Sequence, residues 1–166
     1  MPTSPPLLVD SMIVIEAVRT GCWNAISGQR DVVTVPECTA ELLRGDPGTK
    51  GYVPVTEQEL ARVTVAPVSR LEAAAFRLGY PDADGMDAGE RELLAHARAR
   101  TDDFQLCSCD KAAVRAAHAL GWSDRLVSLE TVAAAVGVRP SPSLKPQYSE
   151  GRLSQWRMSL ALGGPI

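Results

Sequence analysis

Four acidic residues in four separate segments, Asp10, Glu41, Glu90 and Asp110, are the side chains of this sequence best suited to chemistry. Asp10 ends the apolar run LLV, and Asp110 follows the apolar run FQLC with two residues between. Glu41 stands one helical turn after Glu37, and Glu90 opens the helical pattern that precedes FQLC. In a parallel sheet wrapped by helices, ligands gather beyond the carboxyl ends of the strands, so acids from these segments are placed to converge. Clustered carboxylates repel one another unless protons or cations offset the charge. Oxygen-only ligation selects hard cations, so Mg²⁺ or Mn²⁺ is the expected occupant. Such ions lower the pKa of water and stabilise the attacking and leaving oxygens of phosphodiester hydrolysis.

Each acid also has a structural reading. Asp10 and Asp110 suit helix N-caps. Asp87 and Glu90 have the spacing of a capping box. Glu37 and Glu41 suit a solvated helix face. Independent caps need not fall at one end of a sheet, and that common location favours the metal reading.

Short apolar runs alternate with longer periodic ones, which points to an α/β fold. The expected strands are Leu7 to Val9, Val32 to Val35, Val63 to Ala66, Phe104 to Cys107 and Arg125 to Ser128. The expected helices are Ser11 to Arg19, Glu37 to Arg44, Ser69 to Gly79, Ala88 to Arg100, Lys111 to Leu120 and Glu130 to Val136, with a short one from Glu57. Gly45 to Pro54 and Tyr80 to Met86 read as loops. Arg139 to Pro146 carries three prolines in eight residues and reads as a linker. Ser149 to Leu162 reads as an amphipathic helix that packs on the domain or a partner, with Leu153, Trp156, Leu160 and Leu162 along one face.

At 166 residues, 45% hydrophobic and 22% charged, the chain suits one globular domain with a real core. Its start has no secretory pattern and no apolar run approaches a membrane span, so the expectation is a cytoplasmic protein without membrane attachment. Four irregularly spaced cysteines, Cys22, Cys38, Cys107 and Cys109, read as reduced apolar residues rather than a disulfide framework. A formal charge of -3 argues against nucleic-acid binding through a general basic field. It leaves room for an enzyme that binds through metal ions, with a few arginines on the rim.

Rival chemistries fit less well. His96 and His118 lack ligand spacing, and Cys107 and Cys109, on one face of a strand, suit the core better than a zinc site. A receiver-like phosphoacceptor needs adjacent acids after the first strand, whereas Asp10 is followed by Ser11.

From about Leu7 to Gly137 the chain resembles the PIN-like ribonucleases, a family that includes toxins of bacterial toxin and antitoxin pairs. LLVDSMIVIEA is similar to the strand and helix that carry the family's first metal aspartate, here Asp10. TVPECTAELL maps the next acid to Glu41, with Glu37 as the other claimant. DAGERELLAHA looks like the family's GExE variant, with Glu90 in the metal position and Glu92 outside it. LCSCDKAAVRAAHALGW places Asp110 as the last metal aspartate and Ser108 as the hydroxyl residue that orients it. Ser11, Glu16 and Glu37 are the further supporting candidates, although Glu16 and Arg19 also read as a surface ion pair.

The resemblance implies a three-layer α/β/α sandwich with a central, mostly parallel sheet over residues 1-138, which the composition extends by a Pro-rich linker at 139-148 and a C-terminal helix at 149-166. It implies a Mg²⁺- or Mn²⁺-dependent endoribonuclease that hydrolyses RNA through metal-activated water. A partner antitoxin and a homodimer are also implied. Met12 departs from the pattern, because many relatives carry a polar residue there. A catalytically inactive interaction or RNA-binding module of the same fold is the alternative.

Overall fold

The apolar run Leu7–Val9 forms β1, which is buried along its whole length, as a strand covered on both faces must be. The computed structural model describes residues 4–166. β1 pairs in parallel with β2 (Val32–Thr34) on one side and β4 (Gln105–Cys107) on the other, and β3 (Thr64–Val65) lies outside β2. The four-stranded order is β3-β2-β1-β4. The chain therefore crosses from one side of β1 to the other between β3 and β4. This places a topological switch point, the usual ligand crevice of such sheets, between the ends of β1 and β4.

Side chains alternate across the strands, and so divide the core in two. Leu8, Val33 and Leu106 face one cluster, while Leu7, Val9, Val32 and Cys107 face the other. The first cluster is covered by α3 (Pro36–Leu43), α5 (Arg70–Gly79), α6 (Ala88–Ala99), α7 (Lys111–Ala119) and α9 (Glu150–Ala161). The second is covered mainly by α1 (Ser11–Arg19), α2 (Trp23–Gln29) and α8 (Leu129–Ala135). The result is the expected α/β/α sandwich, with an all-parallel sheet. Among the described residues no helix is long and apolar enough to cross a membrane. All four cysteines are free, with Cys107 and Cys109 packed on the same side of the sheet.

The structure departs from the sequence expectations in several places. The expected fifth strand is reduced to one bridge, Leu106 to Leu126. A 3-10 turn at Ser123–Arg125 leads into it, and Ser128 is already the N-cap of α8, so no length remains for a ladder. Helix α2 was not expected, because WNAISGQ contains Ser and Gly and has little intrinsic helical preference. Tertiary packing holds it instead: Trp23 and Ile26 are buried, and Trp23 Nε1 donates to the Glu59 carbonyl at 2.7 Å, beside the short helix α4 (Glu57–Leu60). The loop expected at Tyr80 to Met86 contains a 3-10 segment at Pro81–Gly85.

The Pro-rich stretch is a strap and not a free linker. Ser141 N–H donates to the Thr20 carbonyl at 3.0 Å, and Lys145 N–H to Glu16 Oε1 at 2.9 Å. Beyond it, Leu153 and Trp156 of α9 enter the first core cluster and Leu160 packs against it, whereas Leu162 is 82% exposed. Arg157 of the same helix donates to the Leu126 carbonyl.

Candidate functional site

Asp10 and Asp110 stand just beyond the carboxyl ends of β1 and β4, where the chain turns into α1 and α7. Both are N-caps: Asp10 Oδ1 accepts from Ile13 N–H at 3.0 Å and Asp110 Oδ1 accepts from Ala113 N–H at 3.0 Å. Capping occupies one oxygen of each carboxylate and fixes where the other points, so cap and ligand roles are compatible. Asp10 is buried, and its second oxygen accepts from Ser108 Oγ at 2.7 Å. The Ser108 hydroxyl accepts in turn from Asp110 N–H at 3.2 Å. Ser108 thus orients Asp10 directly and touches Asp110 only through its backbone, where the sequence had suggested that it orients Asp110. Thr34 Oγ1, donating to the Val9 carbonyl at 2.8 Å, ties the end of β2 to the same edge.

Glu41 arrives from α3 and Glu90 from the first turn of α6. Ser11 Oγ donates to Glu41 Oε2 at 2.7 Å. The capping box that Asp87 and Glu90 could have made is not formed, since the Asp87 side chain makes no cap hydrogen bond, and Glu90 lines the cleft. Asp10, Ser11, Met12, Glu41, Asp87 and Glu90 line one cleft of about 170 Å³. Asp110 is not in its wall, but its charge and side-chain contact bear on Glu90. A larger cleft of about 470 Å³ between α2 and residues 56–62 has little comparable chemistry: its acid, Glu59, is engaged in the capping box of α4.

Burial pushes the Asp10 carboxyl up to about 6, against the lowering effect of its hydrogen bonds from Ser108 and Ile13, and the charges of Asp110 and Glu41 push the same way as burial. Burial raises Glu90 to about 9, with the charges of Asp110 and Asp10, a side-chain contact with Asp110 and the charge of Asp87 adding to it. Glu90 therefore holds its proton at neutral pH, the ordinary way in which crowded carboxylates relieve repulsion.

Two supporting candidates lie elsewhere. Glu16 is buried rather than in a surface pair. It accepts from Arg19 at 2.6 Å and from Lys145 N–H, while Arg19 also donates to the Ser143 carbonyl, so Glu16 anchors the strap. Glu37 points outward and pairs with Arg44 at 3.3 Å. Glu92, already placed outside the metal position, accepts from Glu37 N–H at 3.0 Å and so supports the start of α3.

Two contributors escaped sequence reasoning. Asp87 lines the cleft but had been read only as a cap. Gly89 is the more instructive case: a Cβ built there would lie 2.8 Å from Glu41 Oε1, so the bare glycine backbone allows α3 and α6 to bring Glu41 beside Glu90. Cys38 Sγ, at 3.5 Å from the Gly89 carbonyl, reinforces the approach. The glycine of the GExE pattern was the available signal.

The donor set is all oxygen and acidic, with no histidine or thiolate facing the cleft, which is the set that Mg²⁺ and Mn²⁺ favour. Among the described residues no three His, Cys, Asp or Glu side chains close into a ready-made cation cage. Hydrogen bonds from Ile13, Ser108, Ala113 and Ser11 orient the carboxylates of Asp10, Asp110 and Glu41. Because each accepting oxygen keeps a second lone pair and Glu90 carries a displaceable proton, the residues fit a hard divalent cation.

No protein-family model matches the chain, and no curated protein matches its sequence.

Proposed function

We propose that this chain is a Mg²⁺- or Mn²⁺-dependent endoribonuclease of the PIN-like kind. The observation that carries the proposal is the convergence of Asp10, Glu41 and Glu90, with Asp110 beside them, at the switch point of a parallel sheet. Asp10 and Asp110 are the principal ligands, and Glu41 and Glu90 complete the set. A bound divalent ion supplies positive charge for the phosphoryl oxygens and a more acidic water. Ser108 holds Asp10, Ser11 holds Glu41, and Glu90 releases its proton when a cation takes over the role of offsetting charge. No protein nucleophile is required, so no covalent intermediate forms. RNA as substrate rests on the family resemblance.

A non-catalytic module of the same fold is a second reading, and one observation favours it. Met12, 45% exposed, contributes an apolar wall to the cleft where a nuclease benefits from an ordered polar group.

The deciding experiment pairs Mn²⁺ titration calorimetry with cleavage of a mixed single-stranded RNA pool. The wild type should bind Mn²⁺ and cut RNA, chelator should stop cleavage, and Asp10→Asn should lose both. A wild type that neither binds Mn²⁺ nor cuts RNA, or an Asp10→Asn variant that matches it, refutes the assignment.

A further inference from the structure

Immediately beside the carboxylate cleft, α5 and α6 pack together and leave a groove of about 330 Å³. Asp87, the N-cap of α6, and Glu90 in its first turn line the cleft, while Ala88 and Arg91, each one residue further on, line the groove. The two concavities thus flank the same helical turn. Arg70 and Arg77 of α5 and Arg91 of α6 line the groove. Seven residues beyond Arg91, and so about 10 Å along the axis, Arg98 continues the α6 row and lies against the end of α5, where a Cβ on Gly79 would meet its Nε at 3.0 Å.

Glu37 and Glu92 line the groove beside these arginines, and they and the nearby Glu72 and Asp84 are engaged within the protein. Glu72 accepts from Ser69 N–H in the capping box of α5, Asp84 pairs with Arg77 at 3.0 Å, Glu92 accepts from Glu37 N–H, and Glu37 pairs with Arg44. Among the described residues, Arg70, Arg91 and Arg98 have no carboxylate within ion-pairing distance and no side-chain hydrogen bond, so each guanidinium is available to an outside anion. In a chain of net charge -3, such a row is a local feature and not part of a general basic field.

We infer that the α5–α6 groove is the track for the phosphodiester backbone of single-stranded RNA, with Arg70 and Arg91 as positioning residues that lead the strand to the carboxylate cleft. The inference rests on the nuclease reading above. Guanidinium forks match phosphate oxygens in geometry and charge. Spaced arginines on two helices hold successive phosphates without reading bases, so affinity is sequence-tolerant and strongly salt-dependent.

The test uses the full chain in chelator, so that the strand is bound but not cut, and measures fluorescence anisotropy of an end-labelled single-stranded RNA at several salt concentrations. Thermal melts confirm that each variant is folded. Arg70→Ala with Arg91→Ala should weaken binding about tenfold and lower the slope of log K against log salt by about 1.4, the loss of two phosphate contacts on a single strand. Arg62→Ala, in the unrelated cleft beside α2, should leave both unchanged. Unchanged affinity and slope in the folded double variant overturn the groove, as does a wild type that binds no RNA. If the wild type fails to cut RNA with Mn²⁺ while binding in chelator still depends on Arg70 and Arg91, the groove stands and the nuclease reading falls. If the wild type cuts and the double variant binds and cuts equally well, the groove falls and the nuclease reading stands.

Discussion

Ser108 donates its hydroxyl hydrogen to Asp10 Oδ2 at 2.7 Å, joining the end of β4 to the end of β1 across the crevice where the candidate ligands meet. Removing the hydroxyl leaves a buried carboxylate oxygen without its donor, a loss of about 1–3 kcal/mol. It also removes an interaction that lowers the Asp10 pKa, so protons compete better with metal. Ser108→Ala should therefore lower the melting temperature and weaken Mn²⁺ binding about 10–100-fold, as is typical when a supporting hydrogen bond to a ligand is lost. Ser108→Thr should retain most of both. Calorimetric titration of the three proteins checks this, and equal Mn²⁺ affinity in Ser108→Ala would remove Ser108 from the site.

Gly89 separates the needs of the site from those of the fold. Alanine there would favour helix α6 by about 1 kcal/mol in propensity. Its methyl group would meet the Glu41 carboxylate, the far end of a flexible side chain that can swing away from Ser11. Gly89→Ala should then melt within a few degrees of wild type in chelator, yet bind Mn²⁺ and cut RNA at least about tenfold less well. Full Mn²⁺ affinity in this variant would show that Glu41 has no part in holding the ion.

The raised carboxyls set the pH dependence of the metal-free protein. An acid whose folded pKa exceeds its unfolded value binds more protons when folded, so its contribution to stability falls as pH rises between the two values. For Asp10 that window closes near its folded value of about 6, and for Glu90 it extends to about 9. Glu16 and Glu150, with lowered pKa values, act in the opposite sense but only in acid. His96, whose pKa is lowered by burial, also acts oppositely, adding stability as pH rises to its ordinary value. Between pH about 6.5 and 8.0 Glu90 dominates, at up to about 1.4 kcal/mol per pH unit. Melts in chelator should fall across this range, and the fall should largely vanish in Glu90→Gln and shrink in saturating Mn²⁺. A wild type in chelator that is equally stable at both pH values would mean that Glu90 is ionised in the folded protein.

The sequence by itself determined the strand and helix alternation, because buried parallel strands need short apolar runs and amphipathic helices need a 3.6-residue period. It also put Asp10 and Asp110 at strand-to-helix junctions, where each caps a helix. Tertiary structure decided what local pattern does not encode. Helix α2 exists because Trp23 and Ile26 find a core, against the weak propensity of its residues. The stretch 125–128 reads as a strand but makes only one bridge, because a 3-10 turn and the cap of α8 use up its ends. Glu37 and Glu41, one turn apart on the same helix, differ only in what lies opposite: solvent and Arg44 for one, Gly89 and Ser11 for the other. Glu16 and Arg19 have the spacing of a surface pair, but Glu16 is buried and accepts from Lys145 N–H of the strap. Contacts between residues distant in sequence depend on the packing of whole elements, so the sequence could nominate the carboxylates but not what each one faces.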